Sequence, residues 1–325
     1  MNVTLKTILE SIITGVITTL IAAVLFFVPV LNTLVLLFPV PLIVLGVRRG
    51  TWSGVLGLIT SSAMLGIVIS PFLGLSVFSY NIILLLGLIG AFNKRLKANE
   101  CIVISSASVL ASILINFKIF EWIIGKSFFD FISENAYQFF TASPENTLAL
   151  AQLYEKLGIL DRVYSSEEFA QLAVNQLKIL MPIVPSILLI FSIIVGLALF
   201  LLSRFVLKRL HVAVPFVPPF SNWALPRGTG RGFLLIMMIA VIGMFMGINN
   251  FDVVLYTITA LFSFIFSIQG LATAAFFLKA GNLPQIVQIL ILVVVFTFMS
   301  AALSFVGVLE QIFNFRKAYL NRFRS

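Results

Sequence analysis

Apolar residues run in long blocks along this chain, separated by short polar or proline-bearing links. Nine blocks stand out: residues 8–29, 30–47, 52–71, 72–92, 101–120, 179–202, 232–250, 252–278 and 284–309. Most reach the roughly 20 residues that an α-helix needs to cross a ~30 Å hydrocarbon core. The short alternating segments of a membrane β-barrel are missing. The pattern predicts an all-α fold, a polytopic helical membrane protein with eight to nine transmembrane helices and a small helical extracellular insert. Prolines mark several boundaries, at Pro29, Pro71, Pro182 and Pro284. Pro39 and Pro41 fall inside the second block, where a proline is tolerated and is expected to kink the membrane helix rather than end it.

Composition sharpens the class. Of 325 residues, 60% are hydrophobic and 10% charged, where a soluble domain carries about 25% charged residues. The first block is far longer than the apolar core of a cleavable signal, so it is expected to stay as a helix. One cysteine (Cys101) leaves no internal disulfide, and one histidine (His211) no histidine-based metal cluster. A pI near 9.9 fits a basic membrane face better than nucleic acid, which is not expected as a partner.

Charge placement predicts orientation. Arg48 and Arg49 follow the second block, Lys94, Arg95 and Lys97 the fourth, and Arg204, Lys208, Arg209, Arg227 and Arg231 the sixth. Basic loops mark the cytoplasm, so the N-terminus is expected inside a bacterial cytoplasmic membrane. Eight of the twelve acidic residues lie between Glu121 and Lys178, which makes that insert net −4 and leaves +13 for the rest. Five blocks precede the insert and the sixth follows it, so the alternation of the six helices puts it outside. The tail carries Arg316, Lys317, Arg322 and Arg324; eight crossings put it inside, nine outside, and its basic character favours eight.

The resulting division is a six-helix unit over 1–202 containing the insert 121–178, a connecting loop over 203–231, C-terminal helices over 232–309 and a basic amphipathic tail over 310–325. Within the insert, Phe128, Ile132, Ala136 and Phe139/Phe140 share one helical face. Ser143–Pro144 opens a second short helix that Gly158 ends. "SSEE" at Ser165–Glu168 reads as a capping box opening a third. Such helices serve equally as interfacial packing or as a lid over a cavity.

No Walker glycine loop, HExxH, Cys-x-x-Cys or Gly-x-Ser-x-Gly occurs in the sequence, so no catalytic residue, metal ligand or cofactor is assigned. The polar residues within the blocks are amides and hydroxyls, among them Asn81, Asn116, Gln269, Gln288, Thr60, Ser61 and Ser62. These suit hydrogen bonds to a small neutral or zwitterionic solute, and they equally suit helix–helix contacts. Asn116, Lys118 and Glu121 fall together at the outer end of the fifth block. With Asn81 and Gln269 they form the candidate solute-binding set.

Two further features concern partners. Ser11, Gly15 and Thr19 repeat at four-residue spacing and make a smooth helix face for close packing. The loop "PFVPPFSNWALPR", Pro215–Arg227, is stiffened by proline and carries interfacial aromatics. Phe220, Asn222, Trp223, Pro226 and Arg227 are its candidate docking or interface residues, as a strap along the headgroups or as a site for a cytoplasmic subunit. The tail interleaves Ile312, Phe313, Phe315, Tyr319, Leu320 and Phe323 with its cations, a pattern expected to lie on anionic lipid.

The motifs "PPFSNWALPRGTGRG", "FSIQGLATAAFFLK" and "FNFRKAYLNRF" resemble the YybS-like family of bacterial multi-spanning membrane proteins. That resemblance implies an envelope location and an architecture, without a reaction. The first six helices are also similar in layout to the S components of energy-coupling-factor transporters. That likeness implies an outward-facing solute site capped by extracellular loops, with Ser11, Gly15 and Thr19 meeting a membrane coupling subunit. The expectation is a solute-binding or transport component in the lipid bilayer, without its own ATPase. The alternative is a non-transporting envelope scaffold or regulator that recruits cell-surface partners.

Overall fold

A computed structural model describes residues 4–226, 228–281 and 283–322, and no strand occurs among them. The chain divides into two compact units, Met1–Met181 with Phe191–Pro215, and Pro182–Ile190 with Phe216–Ser325. The proline-rich loop from Phe216 onward therefore belongs with the C-terminal helices.

The first unit opens with α1, Leu5–Phe27. The second apolar block then departs from expectation. It forms a 3₁₀ segment, Pro29–Leu37, followed by the ten-residue α2, Val40–Arg49. Pro39 and Pro41 sit at the start of α2, where missing N–H groups cost nothing. Nine residues at ~2.0 Å and ten at ~1.5 Å still extend about 33 Å. Arg49 Nε lies 2.7 Å from Glu10 Oε2, so this composite segment carries the chain back to the end where α1 began.

Four more long helices complete this part: α3 (Thr51–Val68), α4 (Pro71–Asn93), α5 (Ala98–Ile124) and, after the insert, α9 (Val184–Arg209). Ser70 Oγ accepts from the Leu73 N–H and Pro71 takes the first turn, which explains the sharp start of α4. The helices approach through small residues. Ser61 Oγ donates to the Gly15 carbonyl at 2.9 Å, and α3 runs parallel to α1. Gly66 meets Gly74 between α3 and α4, Gly87 meets Ser108 between α4 and α5, and Ser105 Oγ donates to the Gly196 carbonyl of α9 at 2.8 Å. These contacts alternate the helix directions. The basic groups at 48–49, 94–97 and 204–209 consequently reach the end of the unit where Glu10 lies.

The insert folds as α6 (Phe128–Ala142), α7 (Pro144–Lys156) and α8 (Ser166–Leu180). Ala151, Phe169, Ala170 and Val174 are buried as its own small core. The capping box of α8 is formed: Ser165 Oγ accepts from the Glu168 N–H at 3.3 Å, and a Glu168 carboxylate oxygen accepts from the Ser165 N–H at 2.9 Å. Phe117 and Phe120 of α5 stack and cross with Phe128, Phe129 and Phe131, which ties the first turn of α6 to the end of α5.

The second unit holds α10 (Thr229–Phe245), α11 (Phe251–Ala280), α12 (Gln285–Phe298), α13 (Ser300–Phe313) and α14 (Phe315–Arg322). Its centre is the crossing of α11 and α13. A Cβ on Gly270 would lie 1.9 Å from the Leu303 carbonyl oxygen, and one on Gly307 2.0 Å from that of Phe266. Only glycine permits backbones this close. The ninth block breaks at Met299, where α12 and α13 meet at 105°.

Among the described residues, six helices are long and apolar enough to cross a membrane, or seven if the bent pair is one span. The expectation was eight to nine. The shortfall has three sources: the 3₁₀ half of block two, the break at Met299, and α10, whose 17 residues reach only about 26 Å.

Candidate functional site: the insert cleft and the latched loop

Within the first unit, the residues expected to bind a solute face different partners. Asn116 accepts from Ser79 Oγ at 3.0 Å and donates to the Ser112 carbonyl at 2.9 Å, joining α4 to α5. Asn81 lies two residues beyond Ser79, and ~100° of rotation per residue turns it to another side of α4. It is buried, its amide donates to the Val77 carbonyl at 2.8 Å, and its Oδ1 has no hydrogen-bond partner among the described residues. Lys118 is exposed and pairs with Glu121 at 2.6 Å, one turn along the same helix. Gln269 belongs to the other unit, where it accepts from the Leu225 N–H and donates to the Gly307 carbonyl, both at 3.2 Å.

The small face of α1 is also committed within the chain. Ser11, Gly15 and Thr19 are buried, and a Cβ on Gly15 would stand 2.7 Å from the Gly57 carbonyl oxygen of α3. A coupling subunit would have to use a different face of α1, such as the exposed Ile13–Ile17–Leu20 side.

Polar groups gather instead in the insert. A cleft of about 540 Å³ lies between α6 and α8, lined by Asp130, Ser133, Glu134 and Tyr137 on one side and Gln171, Val174, Lys178 and Met181 on the other. The α6 residues follow i, i+3, i+4, i+7 spacing, so one helical face supplies them all. Phe140 and Phe169 hold the two helices together beyond the cleft, with ring centres 5.2 Å apart. Asp130 accepts from Ser127 Oγ at 2.6 Å and Glu134 pairs with Lys126 at 2.5 Å. Lys178, across the cleft, reaches neither carboxylate within ion-pair distance. A second cleft of about 280 Å³, lined by Thr14, Val40, Pro41, Val44, Leu45, Arg48 and Val206, is mainly apolar. Neither cleft is lined by Asn81, Asn116, Lys118 or Glu121.

The turn before α8 is stiffened by charge. Arg162 pairs with Glu168 at 3.0 Å and lies over the Tyr164 ring at 4.5 Å. The Tyr164 hydroxyl donates to Asp161 at 2.7 Å and holds that carboxyl below its usual value.

In the second unit, the proline-rich loop is latched from beneath. Arg316 is buried at the start of α14. Its Nε donates to Glu310 Oε1 at 2.9 Å, and its Nη1 donates to the carbonyls of Ser221 (3.0 Å) and Trp223 (2.9 Å). Gln311 donates to the Pro226 carbonyl at 2.9 Å. Trp223 Nε1 donates to the Pro218 carbonyl at 3.0 Å, and its ring meets Phe220 edge-on at 5.3 Å. Asn222 and Pro226 point outward; Arg227 lies outside the described residues. Arg316 is thus withdrawn from the lipid-facing role expected of the tail. The reason is geometric: Asn314 takes a left-handed conformation (φ 51°, ψ 51°), ending α13 and turning α14 back so that Arg316 meets Glu310.

Residues 16–310 match DUF2232, a family described as predicted membrane protein. The chain belongs to that family. No curated protein and no solved structure matches it. The DUF2232 match takes in the insert, the latched loop and Glu310, and it agrees with the long apolar helices in making this a multi-pass membrane protein.

Proposed function

We propose that this DUF2232 protein is a solute-binding or transport component of the bacterial cytoplasmic membrane that converts no substrate and depends on a partner for energy. The N-terminus is cytoplasmic in this reading and the insert extracellular, as the basic ends and the acidic insert favour. The observation that carries it is the insert itself. A 58-residue net-acidic excursion (Glu121–Lys178) between two membrane helices has folded around its own core and keeps an open, mixed-charge cleft. Interfacial packing alone does not call for such a cleft. The five traverses before it and the one after it, with their alternating directions, suit the S-component layout. The buried face at Ser11, Gly15 and Thr19 moves any coupling contact elsewhere.

Purification of the tagged protein in mild detergent, followed by native mass spectrometry, tests the reading. A co-purifying ATPase with a membrane coupling subunit, or a bound small molecule, is the expected result. Protein carrying only wall-synthesis or division partners would move the function to the second reading, an envelope scaffold. One observation favours that alternative: the latched loop holds Asn222 and Pro226 outward on a backbone fixed by Arg316 and Gln311, a preorganised surface of the sort docking uses.

A further inference from the structure

We infer that the cleft between α6 and α8 is a recognition site for a zwitterion, a ligand that presents an ammonium group and an anionic group a few ångströms apart. The inference rests on the solute-binding reading and gives it a ligand class. Asp130 and Glu134 stand on the α6 wall, and Lys178 stands on the α8 wall. The walls carry opposite charge, yet no ion pair closes the gap between them. Glu134 is instead held by Lys126 and Asp130 by Ser127, both from the residues just before or at the cap of α6, so the carboxylates are fixed on their own side. A ligand ammonium placed against Asp130 and Glu134 leaves its anionic group facing Lys178. Ser133, Tyr137 and Gln171 add hydroxyls and an amide to the lining, and Val174 and Met181 add apolar surface for a short carbon chain.

Size and composition agree with this assignment. About 540 Å³ falls within the ~300–1,000 Å³ typical of small-molecule sites. A simple cation would find Lys178 repulsive, and a simple anion would meet two carboxylates. Only a molecule with both charges satisfies both walls. Free amino acids carry this chemistry, and so does the phosphoethanolamine headgroup of a lipid.

The test is direct binding to the full-length protein in nanodiscs, with L-glutamine and glycerophosphoethanolamine as soluble probes. Saturable binding of at least one probe is expected. Glu134→Gln and Lys178→Gln should each weaken it roughly threefold to fivefold, the worth of a partly exposed charge pair. Glu145→Gln, on α7 and outside the cleft lining, should leave it unchanged. Both cleft positions are exposed, so unfolding is not expected, and circular dichroism confirms it. Binding in phosphatidylglycerol discs that disappears in phosphatidylethanolamine discs identifies the lipid headgroup as occupant; equal binding in both identifies a free solute. Absence of saturable binding by both probes in phosphatidylglycerol discs, or binding that neither cleft variant weakens, overturns the inference. A zwitterion that binds to a protein lacking any coupling partner would uphold the cleft while removing the transport reading. A coupled transporter that binds neither probe would do the reverse.

Discussion

Arg316 and Glu310 meet at 2.9 Å with both side chains buried, and the same guanidinium holds the carbonyls of Ser221 and Trp223. One side chain therefore joins α13, α14 and the proline-rich loop. A guanidinium suits this task because its planar fork reaches several acceptors at once. Glu310 keeps its other carboxylate oxygen buried without a partner among the described residues, so the pair tolerates no loss on either side.

Arg316→Ala should destabilise the second unit by about 3 kcal/mol or more, since it leaves a buried carboxylate uncompensated. Arg316→Lys should recover only part, because one ammonium cannot span three acceptors in this geometry. Thermal unfolding in detergent measures the loss. Protease cleavage within 216–226 should rise in parallel, and unchanged cleavage would show that the loop does not depend on the latch.

The glycine crossing of α11 and α13 predicts a sharp contrast. Gly270→Ala and Gly307→Ala each place a methyl at about 2 Å from a carbonyl oxygen and should cost roughly 1–3 kcal/mol or more through forced separation of the helices. Gly90→Ala in α4 meets nothing within 4 Å and should be neutral or slightly stabilising, because alanine favours the helix. Unfolding curves of the three variants decide the point.

The ends of the first unit predict labelling sides. Arg49 meets Glu10, and the helix contacts bring 94–97 and 204–209 to the same end. Single cysteines at Arg49, Lys94 and Lys208, in a Cys101→Ser background, should react with an impermeant maleimide from the same face of oriented vesicles. A cysteine at Glu155 in the insert should react from the opposite face. Labelling of position 49 from the insert side would show that the 3₁₀–α2 segment does not return across the membrane. The Arg49–Glu10 pair itself is part-exposed, and a double-mutant cycle should find only about 0.5 kcal/mol of coupling.

Asp161 predicts a local pH response. The Tyr164 hydroxyl, then the backbone, lower its pKa from 3.8. A depressed carboxyl contributes stability that is complete above its unfolded value and is lost as the pH falls through the folded value. The turn before α8 should hold at neutral pH and loosen in acid, below about pH 4. Tyr164→Phe should raise the Asp161 pKa toward the ordinary value. The chain has three aspartates, at 130, 161 and 252, so selective carbon labelling and NMR titration resolve this one.

Much of the local structure was legible. The capping box at Ser165–Glu168 needs only short-range geometry, and it forms as read. The Pro144 start and the left-handed Gly158 (φ 70°) do likewise. The insert as three helices was readable because soluble amphipathic periodicity is strong. The second apolar block misled, because hydropathy reports burial in lipid and is blind to whether the backbone winds as 3₁₀ or α. The proposed solute residues of the first unit part company for a related reason. Asn116 and Lys118 are neighbours in sequence, yet two residues on a helix point about 200° apart. One signal for the latch was visible: Glu310 is the lone carboxylate beside a cluster of cations, and such a charge inside or beside a membrane wants a partner.

What the sequence by itself determined is the solvent. Long apolar blocks, scarce charge and basic links leave helices in a bilayer as the only way to satisfy the backbone, and net charge separates the insert from the rest. Tertiary structure alone decided which polar groups meet. It buried the small face of α1 against α3, set Asp130 and Glu134 across from Lys178, and turned Arg316 inward through a left-handed residue at Asn314. Those pairings join residues of different helices, or of one chain across a reversal. They depend on helix rotation and crossing, which composition and periodicity do not encode.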